Sequence, residues 1–321
     1  MSAISMRASL QKIGEPRPGK PIPAFPSGFY SAPRSLRAAL RATNLPQMEG
    51  WANTHTREFD EGQWRNECNG LTTDGQAWYL ASNNPDFRGI HKYSLNFSQF
   101  LGKVELPLPS SEPPPHVGDI DYFNGIIYVP ISTPDPPKVW EIDRNLVTQR
   151  ITDLPAESVQ YLGWCAINPW NGYLYTAQGG DGVVSVRAYD PNNGYQRKQA
   201  SDIHLGGDPV NEIQGGCFSS NGHLYLTSDK FVGNHNGTKD IRAYSALNGE
   251  YLGRCPVDYD HEDWDWYEPD AGAEELEGIA ICHLVHPGGD STYVHVVILD
   301  NDAGPDDVYM KRFAVPNPDA L

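Results

Sequence analysis

The sequence has no unbroken apolar run approaching the roughly 18 residues a membrane-spanning helix needs, and its opening "MSAISMRASLQKIGEPRPGKPIPAFPSG" lacks the apolar stretch of an export signal. The expectation is a cytoplasmic protein with no membrane partner. Positive charge is scarce as well. With 24 Lys and Arg against 41 Asp and Glu, the net charge of −17 would repel a phosphate backbone, so nucleic acid is not an expected partner. The five cysteines form no CxxC pair and no metal-ligand spacing, and four lie in apolar strand-like runs, where a thiol packs as a small hydrophobe. No serine stands in a nucleophile elbow and no Gly-rich loop precedes a helix, which leaves serine-hydrolase and nucleotide-binding chemistry without support.

What the chain has in plenty is turn-forming residues, 31 Gly and 27 Pro, punctuating many short elements. Five segments share one plan: "ECNGLTTDGQAWYLAS", "HVGDIDYFNGIIYVPI", "YLGWCAINPWNGYLYTAQ", "IQGGCFSSNGHLYLTSD" and "EELEGIAICHLVHPGGDSTYVHVVILD". They recur about every 45 residues, a spacing typical of propellers and solenoids. In each of the first four, a Gly-containing strand turns through Asp74-Gly75, Asn124-Gly125, Asn171-Gly172 or Asn221-Gly222 into an alternating apolar strand, a strong hairpin signal. A third strand follows in every copy and a fourth in copies one to four. The fifth copy lacks its fourth, whereas the extended segment "WANTHTREFD", Trp51 to Asp60, is left over at the other end of the chain. A ring of blades exposes strand edges unless it closes, and borrowing this segment closes it. The predicted fold is an all-β, five-bladed β-propeller of four-stranded blades over residues 50–321. Residues 1–49 form an arm with a short helix at "SLRAALRAT". A six-bladed ring and a β-sandwich are the alternatives.

The first strand of a propeller blade lines the central channel. Aligned on that strand, one position supplies Glu67, His116, Tyr161 and Glu275, and two residues further on come Asn69 and Glu277, with Trp164, Asp119, Asp121, Glu212 and Gln214 beside them. Such a mixed set suggests that each blade is shaped for a different contact, although a water-filled polar network would also account for it. Carboxylates converging on one axis repel unless protonated or bridged by a cation, and oxygen donors suit a hard ion. Glu277, Asn69, Asp119 and Glu67 are therefore the expected ligands of a divalent metal, foremost Ca²⁺. His116, tuned by the nearby Asp119 and Asp121, is the expected proton carrier together with Asp121 and Glu275. Asp229 and Asp300, ending their second strands, would bind backbone N–H groups or cap the cavity. The long segment "DYDHEDWDWYEPDAGAEE" alternates acids with Trp264, Trp266 and Tyr267 and reads as a lid or binding loop. Substrate contacts are expected from Tyr161, Trp164, Glu212, Gln214, Trp264 and Trp266.

The "ELEGIAI" and "NGHLYLTSD" elements resemble those of the calcium-dependent propeller superfamily of gluconolactonases, phosphotriesterases and strictosidine-synthase-like proteins. The resemblance implies a metal held by Glu277 and Asn69, although those families have six blades. Plant-type glutaminyl cyclases and calcium-dependent apyrases share the five-bladed architecture, but their signature residues are not found. The expected function is a small-molecule enzyme, hydrolysing a lactone or ester or catalysing a lyase or cyclisation step on a cationic or sugar-like substrate. The alternative is a non-catalytic binding module, holding one ligand or serving as a protein-interaction platform.

Overall fold

The computed structural model describes residues 46–59, 63–109, 113–134, 136–155, 159–229, 239–257, 275–286, 289–300, 307–316 and 321. The predicted arm helix and the "DYDHEDWDWYEPDAGAEE" loop, with Trp264 and Trp266, lie outside these residues. The described residues form five antiparallel sheets, each one blade of a β-propeller. The first blade runs Cys68–Thr73, Ala77–Asn84, Phe87–Ser94 and Phe100–Glu105 from channel to rim. The fourth runs Gly216–Phe218, His223–Ser228, Asp240–Ser245 and Tyr251–Pro256. The fifth comprises Glu275–His286, Gly289–Asp300 and Asp307–Ala314, and its outer strand is Ala52–Phe59 from the N-terminal side, pairing from Ala52 with Ala314 to Phe59 with Val308. The closing clasp therefore falls where the missing fourth strand placed it.

The hairpins follow from turn chemistry. Asn124 and Gly125 both have positive φ, 50° and 87°, and join Phe123 to Ile126 as a two-residue turn whose twist matches the strands it connects. At Asp74-Gly75 the Asp74 carboxylate caps the turn by accepting from the N–H groups of Gln76 and Ala77, each at 2.8 Å. Side chains then alternate between the two faces of each blade. In "HLYLTS", Leu224 and Leu226 pack toward the third blade while Tyr225 packs toward the fifth. Among the described residues one apolar cluster fills each junction between neighbouring blades, and the cluster joining Cys282, Val297 and Met310 to Leu71 and Leu80 closes the circle between fifth and first. Burying one such Leu or Ile is worth about 1.5–3 kcal/mol. The five cysteines are reduced and buried, and all five sit in these clusters, one more than the four expected in apolar strands.

At the axis the blades meet backbone to backbone. A Cβ on Gly278 would stand 2.7 Å from Gly70 Cα, one on Gly215 2.9 Å from Gly278 Cα, and one on Gly118 1.9 Å from the Gly163 carbonyl oxygen. Each blade thus gives one glycine to a collar that no larger residue could form. Asp119 plugs the collar and is fully buried. Its Oδ1 accepts from Leu71 N–H at 3.1 Å, and its Oδ2 from Gly216 N–H at 3.1 Å and Ile279 N–H at 3.3 Å. Its own N–H donates to Gly163 O at 2.9 Å, and its carbonyl accepts from Cys165 N–H at 3.1 Å. One residue of the second blade is therefore bonded to the other four.

Candidate functional site

The collar divides the channel into a front and a rear mouth, and it also sets the register of the first strands. Counted back from the collar glycines, Asn69, Val117, Leu162, Gln214 and Glu277 are equivalent. Relative to the first and fifth blades, the middle three thus stand one residue from the alignment expected from sequence. The frame slips because Gly215-Gly216 is a doublet and Gly118 and Gly163 are each followed by a residue that pairs across blades, Asp119 with Trp164. Both Asn69 and Glu277 sit at bulges, where the register shifts between Cys68 and Gly70 and between Leu276 and Ile279. A bulge re-aims a side chain out of the ladder, which suits a residue meant for the channel.

At the front mouth Glu277 is 3% exposed and Asn69 is 4% exposed, yet Glu277 Oε1 and Asn69 Oδ1 have no hydrogen-bond partner. Leaving a buried acceptor unpaired costs about 1–3 kcal/mol, and more for a charged group. Burial raises the Glu277 pKa well above the usual carboxylate range, and the neighbouring Glu275, through its charge and a side-chain hydrogen bond, raises it further, as do Asp229 and Asp119. A like charge beside a buried carboxyl disfavours its ionised form, so Glu277 holds its proton more tightly than an exposed glutamate would. Asp229 sets the backbone between them: its Oδ1 accepts from Leu276 N–H at 2.5 Å and from the buried Lys239 Nζ at 2.5 Å. Asp229 was expected to bind N–H groups of its own turn; the N–H it accepts from belongs instead to the fifth blade, 47 residues on.

Across the mouth, Tyr161 Oη lies 3.2 Å from His116 Nδ1. Tyr161 is 38% exposed; partial burial raises its pKa, and the charges of Glu277 and Glu275, within electrostatic range, raise it further. The expected pairing of His116 with Asp121 is not what the structure shows. His116 pairs with Ser132 on the front side, while Asp121 pairs with Tyr128 on the rear side, with the collar between them. Nor does a carboxylate tune the imidazole: burial and the nearby Arg88 lower its pKa to about 4, so His116 is neutral at physiological pH. Trp164 is 1% exposed, and its ring fills the space over Gly216 in the junction of the third and fourth blades, away from either mouth. Glu67 ends the short helix Gln63–Glu67 and is half-buried, as are Glu212 and Gln214.

Of the four expected metal ligands, Asn69 and Glu277 offer unpartnered oxygens. Asp119 has three backbone N–H groups on its carboxylate and little capacity left for an ion. Among the described residues no three His, Cys, Asp or Glu side chains form a metal-holding group.

The rear mouth opens into a cavity of about 230 Å³ whose lining includes Thr72, Asp121, Phe123, Ile167, Phe218 and Ile281. Asp121 Oδ1 accepts from Tyr122 N–H at 2.8 Å and Oδ2 from Ile167 N–H at 2.7 Å, while burial raises its pKa to about 7. Oδ2 therefore ties the second blade to the third, while Oδ1 caps its own strand. Two cationic residues of the front side went unnoticed in the sequence, Lys239 and Arg88. Both stand at the start of third strands, Arg88 in Phe87–Ser94 and Lys239 directly before Asp240–Ser245, and that position was the available signal.

No protein-family model and no curated protein matches the chain. Among solved structures it is similar to a glutaminyl cyclase of Myxococcus xanthus, with a TM-score of 0.54 at 16% identity over 83% of this chain and 97% of that one. It also aligns with the tail fibre of Staphylococcus aureus phage P68 (TM-score 0.49, 14% identity, 82% of this chain, 53% of that one). A luciferin-regenerating enzyme aligns with a TM-score of 0.47 at 12% identity over 82% of this chain and 96% of that one. Enzymes thus occur among its propeller neighbours, but at these identities the likeness is one of fold. The five blades depart from the six of the lactonase-type families that the sequence resembles. Among the described residues no helix is long and apolar enough to cross a membrane.

Proposed function

We propose that the chain is a small-molecule enzyme whose reaction centre is the front mouth, with Glu277 and Glu275 as its acid–base pair. The observation that carries this reading is the buried Glu277 carboxyl in contact with Glu275 and with an oxygen left unpaired. Evolution rarely leaves such a group without a partner unless a ligand supplies one. Glu277, whose burial favours the protonated form, donates to a leaving or carbonyl oxygen while Glu275 accepts the proton of the nucleophile. The chemistry is hydrolysis of an ester or lactone, or a cyclisation or lyase step. Asp229, bonded to Leu276 N–H, holds the two glutamates in place, and neutral His116 orients Tyr161 at the opposite rim.

The unpaired oxygens of Asn69 and Glu277 would take either a divalent ion, Ca²⁺ by their hardness, or an ammonium group of the substrate. An ion held there would polarise a substrate carbonyl.

The test is turnover of a panel of small esters, lactones and amides by the purified chain and by Glu277→Gln. The expected result is turnover by the parent and a loss of about 100-fold or more in the variant, the usual scale of general acid–base catalysis. No turnover by the parent, with ligand binding intact, would instead favour the binding-module reading.

A further inference from the structure

The front mouth is electrically lopsided in a way that the acid–base pair does not require. Arg88 stands on the strand Phe87–Ser94 directly opposite Asn83, whose Oδ1 accepts from Val117 N–H at 3.3 Å, so this pair faces the second blade beside His116. Arg88 Nε is buried and has no hydrogen-bond partner, and no described carboxylate is paired with the guanidinium. From Arg88 the rim continues through His116 and Tyr161, bonded at 3.2 Å, to Glu275 and Glu277, beside which stands Asn69. One side therefore presents a guanidinium with a free donor, and the other presents two free acceptors on side chains more than nine-tenths buried.

The acceptor side matches an ammonium better than a resident Ca²⁺. Calcium takes about six to eight oxygens, whereas two unpartnered protein oxygens stand here. An ammonium brings one positive charge and three donors, enough to satisfy Asn69 Oδ1 and Glu277 Oε1 with one to spare. Arg88 is matched by a carboxylate, which its planar fork binds through two donors.

We infer that the substrate is a small zwitterion of the amino-acid or short-peptide class, its ammonium seated on Glu277 and Asn69 and its carboxylate on Arg88. The inference rests on the front mouth being the reaction centre and adds both ends of the ligand.

The test uses the full chain, dialysed and checked for metal by elemental analysis, with binding measured calorimetrically. The probes are L-amino acids and dipeptides, each alongside its C-terminal amide and its N-acetyl form. At least one free zwitterion should bind about tenfold more tightly than its amide and its N-acetyl form. Arg88→Gln should erase the preference over the amide while keeping the amide's own affinity, and Glu277→Gln should remove binding of both. Arg88→Lys, with its charge kept, should restore part of the preference, which separates charge recognition from misfolding. Equal binding of acid and amide, or no binding by any probe, overturns the inference. A tightly held equivalent of divalent ion lost in Glu277→Gln overturns it too. If turnover of esters or lactones persists in that last case, the enzyme reading survives with an ion in place of the ammonium.

Discussion

Glu277, buried at the front mouth, and Asp121, half-buried at the rear, lie on either side of one glycine collar, and desolvation pushes both pKa values up. Their partners differ. Asp121 spends both oxygens on backbone N–H groups, and its Oδ2 holds the second blade against the third. Glu277 faces another carboxyl and leaves an oxygen unpaired. Burial alone thus says little about what a carboxyl is for. Where its hydrogen bonds go separates the one that fastens the ring from the one left free for a ligand.

The collar itself offers the harshest break of this contrast. Asp119→Ala would strip the acceptor from three buried N–H groups at about 1–3 kcal/mol each, and Gly278→Ala would set a Cβ 2.4 Å from Asp119 Oδ1, with Gly70 Cα just behind. Urea melts should show the first losing at least about 3 kcal/mol and the second failing to melt cooperatively. Next in size, Glu277→Gln should cost turnover while its melting temperature at pH 8 stays level or rises, because a neutral amide relieves the pair's repulsion. A collapse in stability like that of Asp119→Ala would erase the distinction between fastening and functional carboxyls.

A smaller effect sharpens the rear side through pH. Asp121 keeps its proton in the folded chain up to about pH 7, whereas in the unfolded chain it ionises near pH 4. The folded state thus binds more protons across that window, and its stability falls as pH rises through it. In Asp121→Asn the melting temperature should decline less between pH 4 and 7 than in the parent. Parallel declines would mean that Asp121 does not titrate there. Smallest of all, Tyr161→Phe removes one partly exposed hydrogen bond to His116, about 0.5–1.5 kcal/mol at most, and should be visible as a slight shift in a denaturant midpoint.

The blade count and the clasp were legible because they depend on local signals. Asn-Gly pairs demand tight turns, and a fifth repeat without an outer strand demands a donor such as "WANTHTREFD". Glu277 and Asn69 were legible too, as polar residues set before a glycine in strands that otherwise run apolar. The role of Asp119 was not, since the three backbone N–H groups its carboxylate accepts from lie 48, 97 and 160 residues away and only the closed ring assembles them. His116 and Asp121 are five positions apart in sequence, yet the collar residue between them puts them in different compartments. Arg88 gave no signal of its own in the sequence, because only its strand pairing opposite Asn83 turns it toward His116.

The clasp strand has a consequence for synthesis. Thr54 bonds to Arg312, 258 residues later, so at about 5–20 residues per second the strand waits on the order of 10–50 s for its partner to leave the ribosome. Most of its residues stay exposed even in the finished ring, and its sequence "ANTHTREF" carries threonines and charges where a core strand would carry valines. A segment that water already tolerates can wait without recruiting neighbours, and the last blade to be made is the one that admits it.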